Sequence, residues 1–329
     1  MKRPIVRILL LGSVAIIGGA AFIAWELSRP LPIDAEQTVR IARGTSIAGA
    51  VDSVDRSIGL PSPTLTRLVA RVAARFTQRQ LHPGWYAFQP GTTSWDVVAA
   101  LLSGRHRPTR MVTIPEGLTY REIASLLRRK AEIDSAAFVV WCENDSIVKR
   151  YTDDAPSMEG YLMPDTYEVL WRDDAAAIGD RLAAAAQRAW RSLATDRPRR
   201  EVLTLASIVQ AETGANDEMR TIAGVYQNRL RIGMRLEADP TVQYGIGERR
   251  RVFYRDLDDR HAYNTYVVRG LPQGPIGNPG AAAMRAAIDP ERHSYLYFVA
   301  RGDSSGRHRF AATGEEHLRN VRLYRAARR

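Results

Sequence analysis

Along residues 203–214, "LTLASIVQAETG", the hydrophobic positions repeat with helical spacing. Leu205, Ile208, Val209 and Glu212 fall at i, i+3, i+4 and i+7, which places them on one helix face. This phase turns the single acid of the stretch toward an apolar stripe and Gln210 to roughly the opposite side, while Gly214 supplies a stop signal. A glutamate aimed inward is costly unless protonated or paired, and that is how a carboxyl acquires the raised pKa of a general acid. The alternative is a helix-end Glu that turns outward or bonds to a neighbour.

The same reading predicts helix from 117 to about 150, where Leu118, Ile123, Leu126 and Leu127 lie near one face. Gly160 and Pro164 break the pattern in "EGYLMPDTYEVL", and the Ala-rich "DAAAIGDRLAAAAQRAWRSLA" forms a long helix. Asn216 caps a helix over Met219–Leu230 that Gly233 stops; Asp239, as cap, with Pro240 at the first helical position, opens a short one. "AYNTYVVRGLPQGPIGNPG" is loop with a short strand at Tyr266–Val268, and "SYLYFVARGD" with "RHRFAAT" reads as a hairpin. Three segments, "IARGTSIAGAV" from 41, "FQPGTTSWDVVAALLSG" from 88 and "IPEGLTYREIASLL" from 114, share a pattern: a short strand, a turn needing Gly, and a helix capped by Ser or Thr. Their irregular period excludes a solenoid. They resemble the strand–turn–helix opening of LysM-type carbohydrate-binding modules, and a generic α+β segment fits them equally.

Composition adds compartment and partner. Lys2, Arg3 and Arg7 precede Ile8–Trp25, 18 residues without charge. The flanking charge and the absence of a small-residue cleavage site favour an uncleaved anchor, with a cytoplasmic stub and everything after residue 28 across the membrane. Residues 28–40 then read as a linker. The 329-residue chain carries 47 Lys and Arg against 36 Asp and Glu, a net +11 that suits an anionic partner. No zinc spacing, RNP-like strand or basic heptad helix points to nucleic acid. The lone cysteine, Cys142, sits in a helical pattern as a buried thiol, and no Cys near the anchor suggests a lipoprotein. The six His have no metal-ligand spacing, so neither a metal nor another cofactor is expected.

No GxSxG, SxxK, Cys–His or phosphate-loop pattern occurs, which leaves a carboxylate enzyme or no enzyme. Beside Glu212 the acids to weigh are Glu159, Asp165, Glu218, Glu237 and Asp239; backbone amides at helix starts suffice to explain Glu218 and Asp239. Taken in order, "EGYLMPDTY", "LASIVQAET", "VYQNRLRIGMRLEADPTVQYGIG", "AYNTYVVRGLPQGPIGNPG" and "YLYFVARG" closely resemble the bacterial endolytic peptidoglycan transglycosylases of the MltG, or YceG-like, family. The resemblance covers about residues 41–325. It implies an α+β protein of the inner membrane: a transmembrane helix within 1–27, a LysM-like module at 41–108, a connecting α+β region at 109–158, and a mostly helical, lysozyme-related catalytic domain with a small sheet at 159–329, facing the periplasm.

The implied reaction cuts nascent glycan strands between N-acetylmuramic acid and N-acetylglucosamine without water, leaving 1,6-anhydro ends. The family's catalytic glutamate falls on Glu212. Gln210 stands where members often carry another acid, and Met163 and Gln273 replace a common aromatic and a common proline. One carboxyl suffices for this chemistry, because the substrate's own C6 hydroxyl is the nucleophile. Tyr263 and Asn264 resemble the Ala-Tyr-Asn motif that lines the site of other lytic transglycosylases; with Gln243 and Asp239 behind them they are the expected substrate-binding residues, against the alternative of loop-fixing hydrogen bonds. Peptidoglycan glycan strands are the implied partner, and penicillin-binding synthases a further one. The rival readings are a hydrolytic muramidase pairing Glu212 with Asp239 and a tethered glycan-binding scaffold without activity.

Overall fold

The computed structural model describes residues 17–152 and 154–328. Much of the predicted anchor lies outside them, and among the described residues no helix is long and apolar enough to cross a membrane. The architecture is mostly helical α+β with three small two-stranded sheets. Two compact units divide the chain: one runs to Arg110 and includes Leu170–Asp173, and the other holds Met111–Val169 and Asp174–Arg329.

In the first unit, helix α1 (17–27) precedes β1 (Gln37–Ile41), α2 (Ile47–Ile58), α3 (Pro63–Thr77), β2 (Gly84–Phe88) and α4 (Ser94–Ser103). β1 and β2 pair antiparallel, with Val39 opposite Tyr86, so two helices lie between paired strands. Val39, Ile41, Val51, Val54, Phe88 and Leu101 form its core.

The second unit contains β3 (Thr109–Thr113, from its third residue), α5 (Tyr120–Ala131), α6 (Ser135–Glu143), α7 (Asp145–Tyr151), β4 (Thr166–Leu170, to its fourth residue), α8 (Ala175–Ser192), α9 (Arg199–Glu212), α10 (Met219–Arg231), α11 (Asp239–Ile246), α12 (Tyr254–Leu257), α13 (Ala281–Ile288), β5 (Tyr297–Ala300), β6 (His308–Ala311) and α14 (Gly314–Ala327). β3 pairs with β4, and β5 with β6 as the expected hairpin. The span 117–150 is therefore three helices, because Asp134 and Asn144 each restart a helix by capping two backbone N–H groups. Cys142 is buried, and burial pushes its thiol up.

The threefold strand–turn–helix pattern is present. Gly44, Gly91 and Gly117 all take positive φ, at 77°, 88° and 77°, in the turn before a helix. Ser46, Thr93 and Thr119 cap α2, α4 and α5; the latter two close capping boxes with Asp96 and Glu122. The strand expected at Tyr266–Val268 is a turn instead, since Asn264 collects the N–H groups of Tyr266, Val267 and Val268 on its side-chain and backbone oxygens.

α9 is the axis of this unit. Every residue from Val202 to Val209 is buried, and the helix packs against α10, α11 and α13. It is enclosed on all sides rather than along one stripe, so helical phase alone does not fix the direction of its last residue. It ends because Thr213 is extended (φ −145°, ψ 141°), not through a left-handed Gly214.

Candidate active site

Glu212 is the last residue of α9, half-buried, where the chain leaves the core. The Tyr226 hydroxyl, on neighbouring α10, donates to its Oε1 at 2.6 Å. Burial raises the carboxyl to about 7; the Tyr226 bond lowers it, the charge of Asp239 raises it further, and Arg229 lowers it. Tyr226 is itself buried and pushed well above its ordinary value, so it stays a neutral donor. A carboxyl near 7 is shared between its two protonation states at neutral pH, the condition under which one group can both give and take a proton.

Asp239 is exposed and occupies the first turn of α11. The cap position is Ala238 rather than Asp239, one residue earlier than the sequence suggests. Its Oδ1 accepts from the Tyr266 hydroxyl at 2.7 Å. Tyr266 is fixed in turn by Asn264, whose Oδ1 accepts from the Tyr266 N–H at 2.9 Å. The amide nitrogen of Asn264 donates to the carbonyls of Leu257 (2.9 Å) and Asp259 (2.7 Å), and the residue is 0% exposed. Asn264 therefore clamps the loop that carries Tyr266, and no side-chain atom of it faces solvent. The connection runs Asn264 to Tyr266 to Asp239, and from there by charge to Glu212.

Of the other two expected residues, one lines a cavity of about 860 Å³ and the other packs behind a residue that does. Gln243 lines it and donates to the Arg250 carbonyl at 2.8 Å. Tyr263 backs it, its ring 4.6 Å from that of Tyr244. Gln210 and Ala211 of α9 line this cavity but Glu212 does not, in keeping with the opposite facing of positions 210 and 212. Gln210 also accepts from the Gly280 N–H at 3.1 Å. The carboxyl of Glu212 thus lies outside the lining of this cavity.

A second perturbed carboxyl sits in the cavity wall. Glu159, 3% exposed, accepts from the Tyr120 N–H (3.2 Å) and Asn278 Nδ2 (3.0 Å) on Oε1, and from the Tyr244 hydroxyl (3.2 Å) on Oε2. Burial outweighs these bonds and raises it to about 8. Asn278 also donates to the Leu118 carbonyl and accepts from the Leu162 N–H, both at 2.9 Å, stitching "EGLTY", "EGYLM" and "GNPG" together. Gly160 follows at φ +84°, where an added Cβ would lie 2.5 Å from Pro275. These constraints make Glu159 a structural joint rather than a partner acid for Glu212.

Tyr226, Tyr266, Arg229 and Asn278 were not singled out by sequence reasoning. Arg229 is buried on α10, donates to the carbonyls of Leu296 (2.7 Å) and Leu236 (2.6 Å), and lies 3.7 Å from Glu237. The one available signal was a polar residue spaced among buried helix positions, as for Tyr226 and Arg229 in "VYQNRL". Among the described residues no cluster of His, Cys, Asp or Glu is arranged to hold a metal.

Comparison with known proteins places this arrangement in context. Residues 39–323 match the profile of the YceG-like family. A Bacillus subtilis (strain 168) protein named endolytic murein transglycosylase is 26% identical over 334 residues, covering 94% of this chain and 91% of the relative. A protein of the same name from Streptococcus pneumoniae serotype 2 is 24% identical over 358 residues, 98% of this chain but 65% of the relative. The crystal structure of a YceG-like protein from Listeria monocytogenes aligns with a TM-score of 0.58 at 29% identity, covering 86% of this chain and 98% of that one.

Proposed function

Since the chain belongs to the YceG-like family, we propose that it is an endolytic murein transglycosylase in which Glu212 alone serves as general acid and then general base. The observation that carries this reading is the Glu212 carboxyl itself, raised to about 7 and hydrogen-bonded to a neutral phenol. Protonated Glu212 gives its proton to the oxygen joining N-acetylmuramic acid to N-acetylglucosamine as that bond breaks. The carboxylate so formed is stabilised by the Tyr226 hydroxyl. It then takes the proton of the muramic C6 hydroxyl while that oxygen bonds to the anomeric carbon, closing the 1,6-anhydro ring. The proton count is restored, no water is consumed, and the enzyme ends as it began.

Asp239, exposed and oriented by Tyr266, supplies negative charge beside the developing oxocarbenium ion and holds Glu212 protonated before the step. Gln243 contributes binding surface through the neighbouring cavity, Tyr263 acts by supporting the Tyr244 ring that lines it, and Asn264 acts by holding Tyr266. The chain works on nascent strands from the periplasmic side, held by its apolar N-terminal segment and alongside penicillin-binding synthases. Glu212→Gln tests the assignment: it should abolish release of anhydro-muramyl products from purified strands while the circular dichroism spectrum stays unchanged. Retained turnover in that variant would remove Glu212 from the mechanism.

A further inference from the structure

α3 presents its apolar side outward. At 100° per residue, Leu65, Leu68, Val69, Val72 and Phe76 span an arc of about 100°. Leu68, Val72 and Phe76 are 56%, 46% and 84% exposed. The face turned into the first unit is made of small residues, with Thr66 and Ala70 buried and Ala73 and Ala74 packed at the edge of the core. The helix is strongly amphipathic, and the unit's own core uses its weaker side.

The charges that α3 itself carries have one sign. Arg67, Arg71 and Arg75 flank it at successive turns and Arg79 follows, whereas residues 56–95 contain no Asp or Glu. Arg67 reaches Asp52 of α2 at 3.1 Å. Arg71, Arg75 and Arg79 make no ion pair with a described carboxylate and are exposed. The start of α3 is also tied to the end of α1, because the Ser62 hydroxyl donates to Glu26. α1 carries its own outward apolar residues, with Phe22 59% and Trp25 62% exposed.

We infer that α3 is a membrane-surface helix that lays Leu68, Val72 and Phe76 into the interface of an anionic phospholipid bilayer, with Arg71, Arg75 and Arg79 on the headgroup phosphates. An apolar arc flanked by unpaired arginines is the composition that binds in the plane of such an interface. A protein partner would need an acidic rim around an apolar groove to match it; a bilayer of anionic lipid offers both properties without further design. The inference stands independently of the transglycosylase reading. It adds a second contact to the expected anchor, one that would hold this unit against the lipid.

The test uses the full chain reconstituted with vesicles of phosphatidylglycerol and phosphatidylcholine, carrying a nitroxide at Leu68→Cys, Val72→Cys or Phe76→Cys in turn. The native Cys142 is buried and takes no label. Collisions with oxygen should rise and those with a water-soluble nickel chelate fall at all three positions, but not at Ser57→Cys on the exposed side of α2. Each of Arg71→Glu, Arg75→Glu and Arg79→Glu should reduce the immersed-to-free ratio about fivefold or more, and pure phosphatidylcholine should reduce it as well. Because the label reads α3 directly, a chain that floats with the vesicles while all three labels stay water-accessible refutes the inference and leaves the anchor expectation untouched. Shielding that appears only with rising protein concentration and spin–spin broadening also refutes it, by assigning the face to a second copy.

Discussion

Tyr226→Phe removes the 2.6 Å hydrogen bond to Glu212 and leaves the buried ring in place. That bond favours the carboxylate over the neutral acid, so its loss moves the Glu212 pKa upward from about 7. A hydrogen bond to a charged group contributes about 1.5–3 kcal/mol. One pKa unit corresponds to about 1.4 kcal/mol. Since the neutral acid also loses a partner, the lower end applies, and the shift is about one unit. In the proposed mechanism the general acid, Glu212, must be protonated in the free enzyme, so kcat/KM falls as pH rises through its pKa. The falling limb should therefore move about one unit to higher pH, and kcat should drop because the carboxylate formed during bond cleavage is less stabilised. The assay is the rate of anhydro-muramyl product release, by chromatography, across pH 5–9. A limb that stays in place, or moves to lower pH, in a folded variant would show that the phenol does not set the acid's strength.

The remaining predictions concern the groups around this acid. Asp239→Asn removes a charge that raises Glu212 and should move the same limb to lower pH, opposite in sense to Tyr226→Phe; an upward shift would contradict the electrostatic role given to Asp239. Asn264→Ala leaves Tyr266 and two carbonyls without their partners and should cost about 2–3 kcal/mol in urea unfolding, together with lower kcat/KM; an unaffected midpoint would mean that the loop is not held by this residue. Glu159→Ala strands three donors and should destabilise by about 3 kcal/mol, whereas Glu159→Gln, which keeps an acceptor for Tyr120 and Asn278, should remain close to wild type; equal midpoints for the two variants would count against Glu159 as the joint. Glu212→Gln should also alter stability with pH. The folded pKa of about 7 lies above the unfolded 4.5, so the native protein loses stability as pH rises from 4.5 to 7 and then levels off. The Gln variant lacks that loss and should gain up to about 3 kcal/mol over wild type across the window; parallel stability curves would mean that Glu212 titrates normally in the folded protein.

What the sequence made legible was local. The glycines at 44, 91 and 117 and the caps at 46, 93 and 119 announce their turns because a positive φ and an unsatisfied helix N-terminus each require a particular residue type. The β5–β6 hairpin was readable from alternation across a short gap. Glu212 was readable as the acid ending an apolar helix, although burial of the whole 202–209 segment, rather than one face, turned out to be its setting. What stayed hidden depends on segments that meet only after folding. Tyr226 approaches Glu212 through the packing of α10 on α9, and Asn278 reaches Glu159 across 119 positions. Tyr266–Val268 looked like a strand because its residues are aromatic and β-branched, but one upstream asparagine bonds all three N–H groups and imposes a turn. Asn264 itself looked like a ligand-binding amide, and only its complete burial shows where its hydrogen bonds go.

The central claim is that a single carboxyl, Glu212, shuttles the proton while the substrate supplies the nucleophile. Digesting purified glycan strands with the wild-type chain in heavy-oxygen water and weighing the products tests this most directly. The account predicts muramyl ends that carry no heavy oxygen and are lighter by one water than the reducing sugar. Products that carry the heavy oxygen, at the mass of the hydrated sugar, would contradict it.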